Sequence, residues 1–223
     1  VKAGRSTSGR RAAGSHTAAL AASDVAVDAL FHQAGVIRAE TLEQMLALAS
    51  GLAAQPVPSG RRVGILTNAG GPAILCADAC EAGGLMLPEL SARTRSTLAA
   101  FLPAAAALNN PVDLIASATP GQYSQAIETL LAADEIDALI ILYMSVTVTD
   151  TAGIAQGIQE GIAKARKSGA KAKPVFIGWM ADGDSDRTFS FPTETIPVYA
   201  LPESPAFVLS KAAVPHMLEQ GGG

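Results

Sequence analysis

The chain has 223 residues, of which 49% are hydrophobic and 16% charged, and its formal net charge is −4. This much apolar material supplies a buried core and excludes a disordered chain, while the acidic balance excludes a bulk electrostatic basis for binding nucleic acid or a membrane. Because no apolar run approaches the roughly 18 residues of a membrane span and the N-terminus has no signal-peptide pattern, we expect a soluble, cytoplasmic protein.

The sequence of the first part of the chain predicts mainly helices, with only the end of one strand. Val1–Ala3 has the character of a strand end, and the polar Gly4–Thr17, rich in glycine and serine, is predicted as a loop. Helices are predicted at Ser23–Gln33 and Thr41–Ala54. The following segment Gln55–Gly60 (QPVPSG) is a Pro/Gly linker and the clearest boundary in the chain.

From about Arg61 onward, short apolar runs alternate with Ala-rich helical stretches. The predicted strands are Arg61–Asn68, Leu85–Leu87, Pro111–Ile115, Ala138–Met144, Lys173–Met180 and Pro197–Ala200. The predicted helices are Pro72–Ala82, ended by Gly83 and Gly84, then Ser91–Leu102 with Ser91 as cap, Gln122–Ala133, a long helix from Asp150 or Thr151 to Lys167, and Glu203–Glu219. This alternation predicts an α/β fold with parallel sheets flanked by helices, flavodoxin-like or Rossmann-like.

The two parts predict two domains. We expect residues 1–56 to be the C-terminal part of a truncated α/β domain and residues 57–223 to be a complete flavodoxin-like domain. The chain is therefore expected to be a fragment of something larger.

The first candidate for chemistry is the segment GRSTSGRRAAGSHTAALAASD at residues 4–24. Four basic residues precede His16 in it or beside it, namely Lys2, Arg5, Arg10 and Arg11. Glycines let backbone amides turn toward an anion, and hydroxyls such as those of Ser15 and Thr17 add donors. A neutral imidazole among anion-binding groups can accept a phosphoryl group. An ordinary solvated loop with a surface histidine explains the same composition.

The second candidate is the strand-to-helix turn TNAGGP at Thr67–Pro72. A glycine-rich turn at a helix start presents free amides and the positive end of the helix dipole, which together form an anion site. The turn is neither a Walker motif nor a complete dinucleotide fingerprint. Glycines needed only to pack the helix against the strand are the alternative interpretation.

The third candidate is NNPVD at Asn109–Asp113. Asp113 is expected at the end of a strand, where ligands collect in open α/β sheets. A carboxylate there can orient a catalytic histidine or order the neighbouring loop, and an Asn-Pro turn with a capping Asp is the alternative.

No metal site is expected from the remaining polar residues. Cys76 and Cys80 are spaced to share a helix face and are interpreted as small buried residues in a reducing compartment. His32 and His216 have no partners at metal-ligand spacing, and the acidic run DGDSD at 182–186 is interpreted as a solvated loop.

Taken together, these segments resemble the NDP-forming (ADP-forming) acyl-CoA synthetases, the superfamily that includes succinyl-CoA ligase. The similar segments are KAGRSTSGRRAAGSHTAALAASD, GILTNAGGPAILCADACEAGGL, NNPVDLIASATPGQY and IDALIILYM, in this order. The resemblance covers essentially the whole chain, although Ala18 and Ala22 stand where the family usually has glycine.

The resemblance implies a reaction that joins a carboxylic acid, CoA and ATP to give acyl-CoA, ADP and phosphate through a phosphohistidine. His16 matches the histidine that carries the phosphoryl group. Asn68, Ala69, Gly70 and Gly71 match the start of a helix that faces the phosphohistidine, and we assign them as phosphate-binding, with Ser15 and Thr17 as supporting donors.

The resemblance also implies groups and domains that this chain does not supply. ATP or ADP and Mg²⁺ are expected on an ATP-grasp domain or subunit, and CoA on a CoA-binding Rossmann domain. A homo-oligomer is compatible with the sequence. We expect the chain alone to be inactive.

Two other functions remain open at this point. The chain can be the acyl-CoA-sensing regulatory module of a protein acetyltransferase, although relatives of that kind have lost the histidine that this chain keeps as His16. It can also be a non-catalytic ligand-binding flavodoxin-like domain, in which His16 is inert.

Overall fold

The structure is a computed structural model that describes residues 1, 4–17, 23–145, 150–169, 172–181, 188–190 and 194–219. The chain divides into two compact units, Val1–Ala49 and Ser50–Gly223. Among the described helices, none combines the length and the apolar character needed to cross a bilayer.

The regular secondary structure described in the first unit is helical. It contains α1 (Thr7–Thr17), α2 (Asp24–Gln33) and the start of α3 (Leu42–Ala54). The prediction of a loop at Gly4–Thr17 was wrong, because Ser6 Oγ accepts a hydrogen bond from the Gly9 N–H at 3.1 Å and the Arg-Arg-Ala-Ala run that follows favours a helix. Of the predicted strand end at Val1–Ala3, residues 2 and 3 lie outside the described residues.

An arginine organises the segment that leads into α3. The Arg38 guanidinium makes ion pairs with Asp24 and Asp28 on α2, each at 2.9 Å, and with Glu40 at 3.2 Å. Arg5 also contacts Glu40. These pairs tie the segment after α2 back onto that helix.

The second unit is built on a six-stranded sheet. Its strands are β1 (Val63–Thr67), β2 (Val112–Asp113), β3 (Ala138–Met144), β4 (Val175–Met180), β5 (Thr188–Ser190) and β6 (Thr195–Tyr199). Their order is β2-β1-β3-β4-β6-β5, with every pair parallel except β5 and β6. The predicted parallel α/β sheet is confirmed, whereas the antiparallel β5 was not predicted.

Helices connect these strands and cover the sheet. They are α4 (Gly70–Ala82), α5 (Ala92–Ala99), α6 (Pro120–Ala132), α7 (Thr151–Lys167) and α8 (Glu203–Glu219). Helix α4 packs against α8, and α6 packs against α7. The α6–α7 contact is close because Gly161 of α7 lies directly on the backbone of Ser124 in α6.

The core lies between the sheet and these helices. Every residue of β1 is buried, as are all residues of β3 except Met144 at its end. The Tyr143 ring stacks on Trp179 of the neighbouring strand with centroids 4.4 Å apart. This continuous burial is typical of a strand that is covered on both faces.

Two predicted strands differ from the structure for identifiable reasons. Leu85–Leu87 forms only a single parallel bridge, between Arg62 and Met86, so it is not a strand. The predicted strand Pro111–Ile115 is reduced to Val112–Asp113, because the Asp113 carboxylate accepts the Ile115 N–H and the chain turns at Ile115, which has a φ of 63°. The predicted end of α4 at Gly83 and Gly84 is confirmed: Gly83 is the cap residue with a negative φ, and Gly84 takes the left-handed conformation with a φ of 78°.

Candidate functional site

The carboxyl ends of β1 and β3 form the switch point of the sheet. From β1 the chain runs through α4 and α5 to β2 on one side, while from β3 it runs through α7 to β4 on the other. Ligands of open α/β sheets bind in the crevice at such a point. The TNAGGP turn directly follows β1 and therefore lies at this position.

The polar side chains of the turn bind the protein's own backbone. Thr67 Oγ1 accepts a hydrogen bond from the Ala69 N–H at 3.0 Å and donates one to the Ala69 carbonyl at 3.1 Å. Asn68 Nδ2 donates to the Met144 carbonyl, and Asn68 Oδ1 accepts from the Met144 N–H, both at 2.9 Å. Thr67 and Asn68 are buried. These bonds define the path by which the chain leaves β1 and enters α4.

Two backbone amides of the turn remain open. No hydrogen bond joins the N–H of Gly70 or Gly71 to another group in the part of the chain that the structure describes. Both glycines are exposed, and a Cβ on Gly71 would meet nothing within 4 Å. The residue before α4, Ala69, has no side chain that caps the helix. These two N–H groups and the helix dipole are suited to bind an anion.

Two other helices that start at the carboxyl edge of the sheet, α6 and α7, have side-chain caps. Thr119 and Gln122 form a capping box at the start of α6, and Asp150 Oδ1 accepts the Gly153 N–H at 2.8 Å at the start of α7. Both caps occupy donors that an anion would need. Of these three helix starts, α4 alone leaves its first amides without a side-chain cap.

The third sequence candidate, Asp113, borders the same turn. Its Oδ1 accepts the Ile115 N–H at 2.9 Å, and its Oδ2 lies 3.5 Å from the position of a Cβ on Gly70. Ile115 has a φ of 63°, a conformation that costs a β-branched residue on the order of 1–3 kcal/mol. Asp113 thus orders the loop after β2, as one of its two sequence interpretations expected. Asn110 of the same motif binds the backbone of Val63 and Ile65.

The histidine candidate lies in the first unit. The backbone of Ser15, His16 and Thr17 forms the last turn of α1. Their side chains are outside the part of the structure that is described, as are Ala18, Ala22 and the acidic run 182–186. The roles predicted for His16, Ser15 and Thr17 stay predictions.

The cysteines are structural. Cys76 and Cys80 are both fully buried on α4, as predicted. A hydrogen bond to Cys80, together with burial, raises the pKa of the Cys76 thiol far above its usual range. Within the described ranges, no three His, Cys, Asp or Glu side chains are grouped so that they could hold a metal ion.

The charged groups with the clearest pKa shifts lie at the opposite, amino edge of the sheet. Burial alone would raise the pKa of Asp137, but hydrogen bonds from Arg62, the shortest at 2.7 Å, more than offset it and the net pKa is lowered. Burial lowers the pKa of Lys173, whose Nζ donates to the Ala133 carbonyl. These groups join loops to strands and stabilise the fold.

Sequence reasoning missed the contribution of Thr67 and Met144 to this site. A threonine before a glycine-rich turn only weakly predicts that its hydroxyl binds the backbone two residues later, as Thr67 binds Ala69. Met144 contributes only backbone atoms, and no side-chain pattern can reveal such a role.

Comparison with protein families gives two matches in chain order. Residues 1–52 match the model of the succinyl-CoA ligase-like flavodoxin domain, and residues 63–212 match that of the ligase-CoA domain. The second match covers most of the chain and includes the turn after β1.

Individual relatives agree with these matches. The chain is 40% identical over 229 residues to the alpha subunit of the ADP-forming acetate–CoA ligase II of Pyrococcus furiosus, which covers 100% of this chain and 48% of the relative. It is 34% identical over 140 residues to the ADP-forming 4-hydroxybutyrate–CoA ligase of Nitrosopumilus maritimus, covering 63% of this chain and 20% of that protein.

Among solved structures, the chain is similar to the dinucleotide-forming acetyl-coenzyme A synthetase 1 of Candidatus Korarchaeum cryptofilum in complex with phosphate and ADP. The TM-score is 0.83 at 27% identity, and the match covers 100% of this chain and 47% of that one. The chain therefore spans about half the length of the Pyrococcus alpha subunit and of the Korarchaeum synthetase, and a smaller part of the Nitrosopumilus ligase.

Proposed function

This chain belongs to the ADP-forming acyl-CoA synthetases of the succinyl-CoA ligase superfamily, and we propose that it carries the phosphohistidine and a phosphate-binding turn of such an enzyme. The whole reaction joins a carboxylic acid, CoA and ATP to give acyl-CoA, ADP and phosphate. The chain contributes His16 as the phosphoryl carrier and the turn of residues 68–71 as the phosphate-binding element.

The observation that carries this proposal is the pair of open amides at the start of α4. The N–H groups of Gly70 and Gly71 form no bond to other described residues, while the neighbouring starts of α6 and α7 are capped. An uncapped helix start at the switch point of a parallel sheet suits a phosphoryl group, whose charge the amides and dipole stabilise. The Korarchaeum relative, solved with phosphate and ADP, supports phosphate as the anion.

Within the turn, the four residues have different tasks. Gly70 and Gly71 donate N–H groups to the phosphate. Asn68 and Ala69, whose polar groups are occupied by Met144 and Thr67, shape the turn that presents those amides. Ser15 and Thr17, beside His16, supply supporting hydroxyl donors.

The proposed reaction has three steps, and His16 is the nucleophile of the first. A ring nitrogen attacks the γ-phosphorus of ATP, so an N–P bond forms and ADP leaves. A carboxylate oxygen of the acid then attacks the same phosphorus, which forms an acyl phosphate and returns the imidazole. Finally the CoA thiolate attacks the acyl carbon, which forms the thioester and releases inorganic phosphate.

The remaining components lie on other domains or subunits in this proposal. An ATP-grasp domain or subunit binds ATP or ADP with Mg²⁺, and a CoA-binding Rossmann domain binds CoA. We propose the domain division at residue 56, with residues 1–56 the end of a flavodoxin-like domain that holds the histidine and 57–223 a second such domain. This chain spans about half of the alpha subunits that it resembles, which supports the proposal that the enzyme has further domains or subunits.

Activity of the histidine variants tests the proposal. In the enzyme that contains this chain together with its ATP-grasp component, His16→Ala and His16→Asn are expected to abolish acid- and CoA-dependent release of ADP. Circular dichroism and thermal unfolding check that both variants remain folded. Full activity in either folded variant would eliminate the phosphohistidine route, whereas a folded wild type that binds acyl-CoA but lacks this activity would favour a sensing or ligand-binding role.

A further inference from the structure

The side-chain amide of Asn68 joins β1 to β3 beyond the point where their backbones stop pairing. The last paired residues of the two strands are Leu66 and Ile141. Two residues past Leu66, the Asn68 amide meets the backbone N–H and carbonyl of Met144 with two bonds of 2.9 Å. The Asn68 side chain thereby makes the two hydrogen bonds to β3 that the backbone of a paired strand residue would otherwise make at this point.

This pairing leaves little of Asn68 for a ligand. Its oxygen and its nitrogen both bind Met144, and only 3% of the residue is exposed. The backbone that follows turns through Ala69, held by Thr67, directly into the first residues of α4. Asn68 therefore fixes the point from which the two open amides project.

We propose that Asn68 is a positioning residue, which holds the Gly70 and Gly71 amides in place to bind phosphate by clamping the end of β1 to the backbone of Met144. This inference rests on the proposed phosphate-binding turn and assigns Asn68 a role apart from direct contact with the anion. Buried hydrogen bonds that are fully paired rigidify the groups they join, and small displacements of donors weaken anion binding steeply.

The test measures phosphate affinity in the chain of residues 1–223. Two-dimensional NMR follows the amide signals of Gly70 and Gly71 during titration with inorganic phosphate at constant ionic strength. The variant Asn68→Leu keeps the size of the side chain but removes both bonds to Met144. We expect the dissociation constant for phosphate to rise roughly tenfold. Misplaced N–H donors weaken the complex by about as much as the loss of one hydrogen bond to a charged group.

Two control variants separate positioning from general stability. Met86→Ala removes an exposed methionine side chain beside Arg62, before the start of β1, and leaves every bond of the turn in place, so its affinity is expected to stay within about twofold. Tyr123→Phe removes a buried bond to the Leu142 carbonyl on the same strand, measured at 3.3 Å. It is expected to lower thermal stability while leaving phosphate affinity within the same limit, because α4 is not involved.

Each result decides between the inference and its alternatives. Unchanged Gly70 and Gly71 signals in the wild-type chain would overturn the phosphate-binding turn, and the inference with it. Wild-type binding with equal binding by Asn68→Leu would overturn the inference alone, as would equal weakening in Tyr123→Phe. If Asn68→Leu does not fold, Asn68→Ser is judged by the same criteria, and failure of both to fold would show that Asn68 serves the fold only.

Discussion

The carboxylate of Asp113 lies against the first residue of α4, with Oδ2 3.5 Å from the position that a Cβ of Gly70 would occupy. A single methyl group fits there in ordinary contact, whereas a branched side chain must share the space with the carboxylate. The two glycines of the turn therefore differ, because a Cβ on Gly71 would meet nothing within 4 Å.

This difference predicts unequal effects on phosphate binding. Gly70→Val is expected to weaken phosphate binding roughly tenfold, since the branched side chain crowds Asp113 and displaces the N–H groups that receive the anion. Gly71→Ala, the matched control, is expected to bind within about twofold of the wild type. Calorimetric or NMR titration with inorganic phosphate checks both variants, and unchanged affinity in Gly70→Val would refute the assignment of Gly70.

The contact between α6 and α7 predicts a stability effect. A Cβ on Gly161 would lie 2.6 Å from the Ser124 carbonyl oxygen, so Gly161→Ala must push the two helices apart. We expect the free energy of unfolding to fall by about 1–3 kcal/mol, the usual cost of overpacking. The measurement is a chemical denaturation curve.

Gly121 of α6 provides the control for that measurement. A Cβ there would meet nothing within 4 Å, and alanine in a helix is favoured over glycine by up to about 1 kcal/mol. Gly121→Ala should therefore be neutral or stabilising. Equal stability in Gly161→Ala and the wild type would contradict the close packing of the two helices.

The lowered pKa of Glu135 predicts how the stability of the fold depends on pH. Burial would raise the pKa of Glu135, but the Thr94 hydroxyl at 2.6 Å and the Ser91 N–H at 2.7 Å outweigh it and lower the pKa to about 2. Because the folded pKa lies below the unfolded value of about 4.3, the carboxylate stabilises the fold above that value. This contribution is lost as the pH falls toward 2.

Denaturation of a glutamine variant between pH 6 and pH 2 tests this dependence. Glu135→Gln should be less stable than the wild type at pH 6, and the difference should shrink as the pH falls. Glu128 and Glu135 line one groove on the surface of the second unit, so Glu128→Gln controls for the removal of a charge there. A difference between Glu135→Gln and the wild type that stays constant down to pH 2 would be inconsistent with the lowered pKa.

The helices and strands that were predicted correctly are those whose own residues form a clear apolar or helical pattern. The β3 run ALIILYM and the helix Glu203–Glu219 were predicted with the bounds that the structure shows, because a continuous apolar run and a long helical pattern leave few alternatives. The segment of α1 was predicted as a loop because its glycines and serines outweighed the cap from Ser6. At the site, the bonds of Asn68 to the Met144 backbone could not be predicted, because the sequence does not reveal which partner an amide side chain binds; its predicted role in phosphate binding stays a prediction.

The cysteines of α4 predict slow chemical modification. Cys76 and Cys80 have no exposed surface, which shields both thiols from a reagent, and the hydrogen bond to Cys80 together with burial raises the pKa of Cys76, so that Cys76 forms little thiolate in the folded protein. A colorimetric thiol reagent at pH 8 is expected to react with both only as the protein opens. Complete labelling within seconds in native buffer, at the rate seen in guanidinium chloride, would show that the helix face is accessible.

Transfer of label from γ-labelled ATP to His16 tests the central claim most directly. The enzyme that contains this chain, incubated with labelled ATP, is expected to gain a label that survives alkali and is lost in acid, as a phosphoramidate does. The label should disappear in His16→Ala and persist in His32→Ala, which changes an exposed histidine of α2. A label of equal amount in His16→Ala, or none in a folded and nucleotide-binding wild type, would contradict the phosphohistidine account.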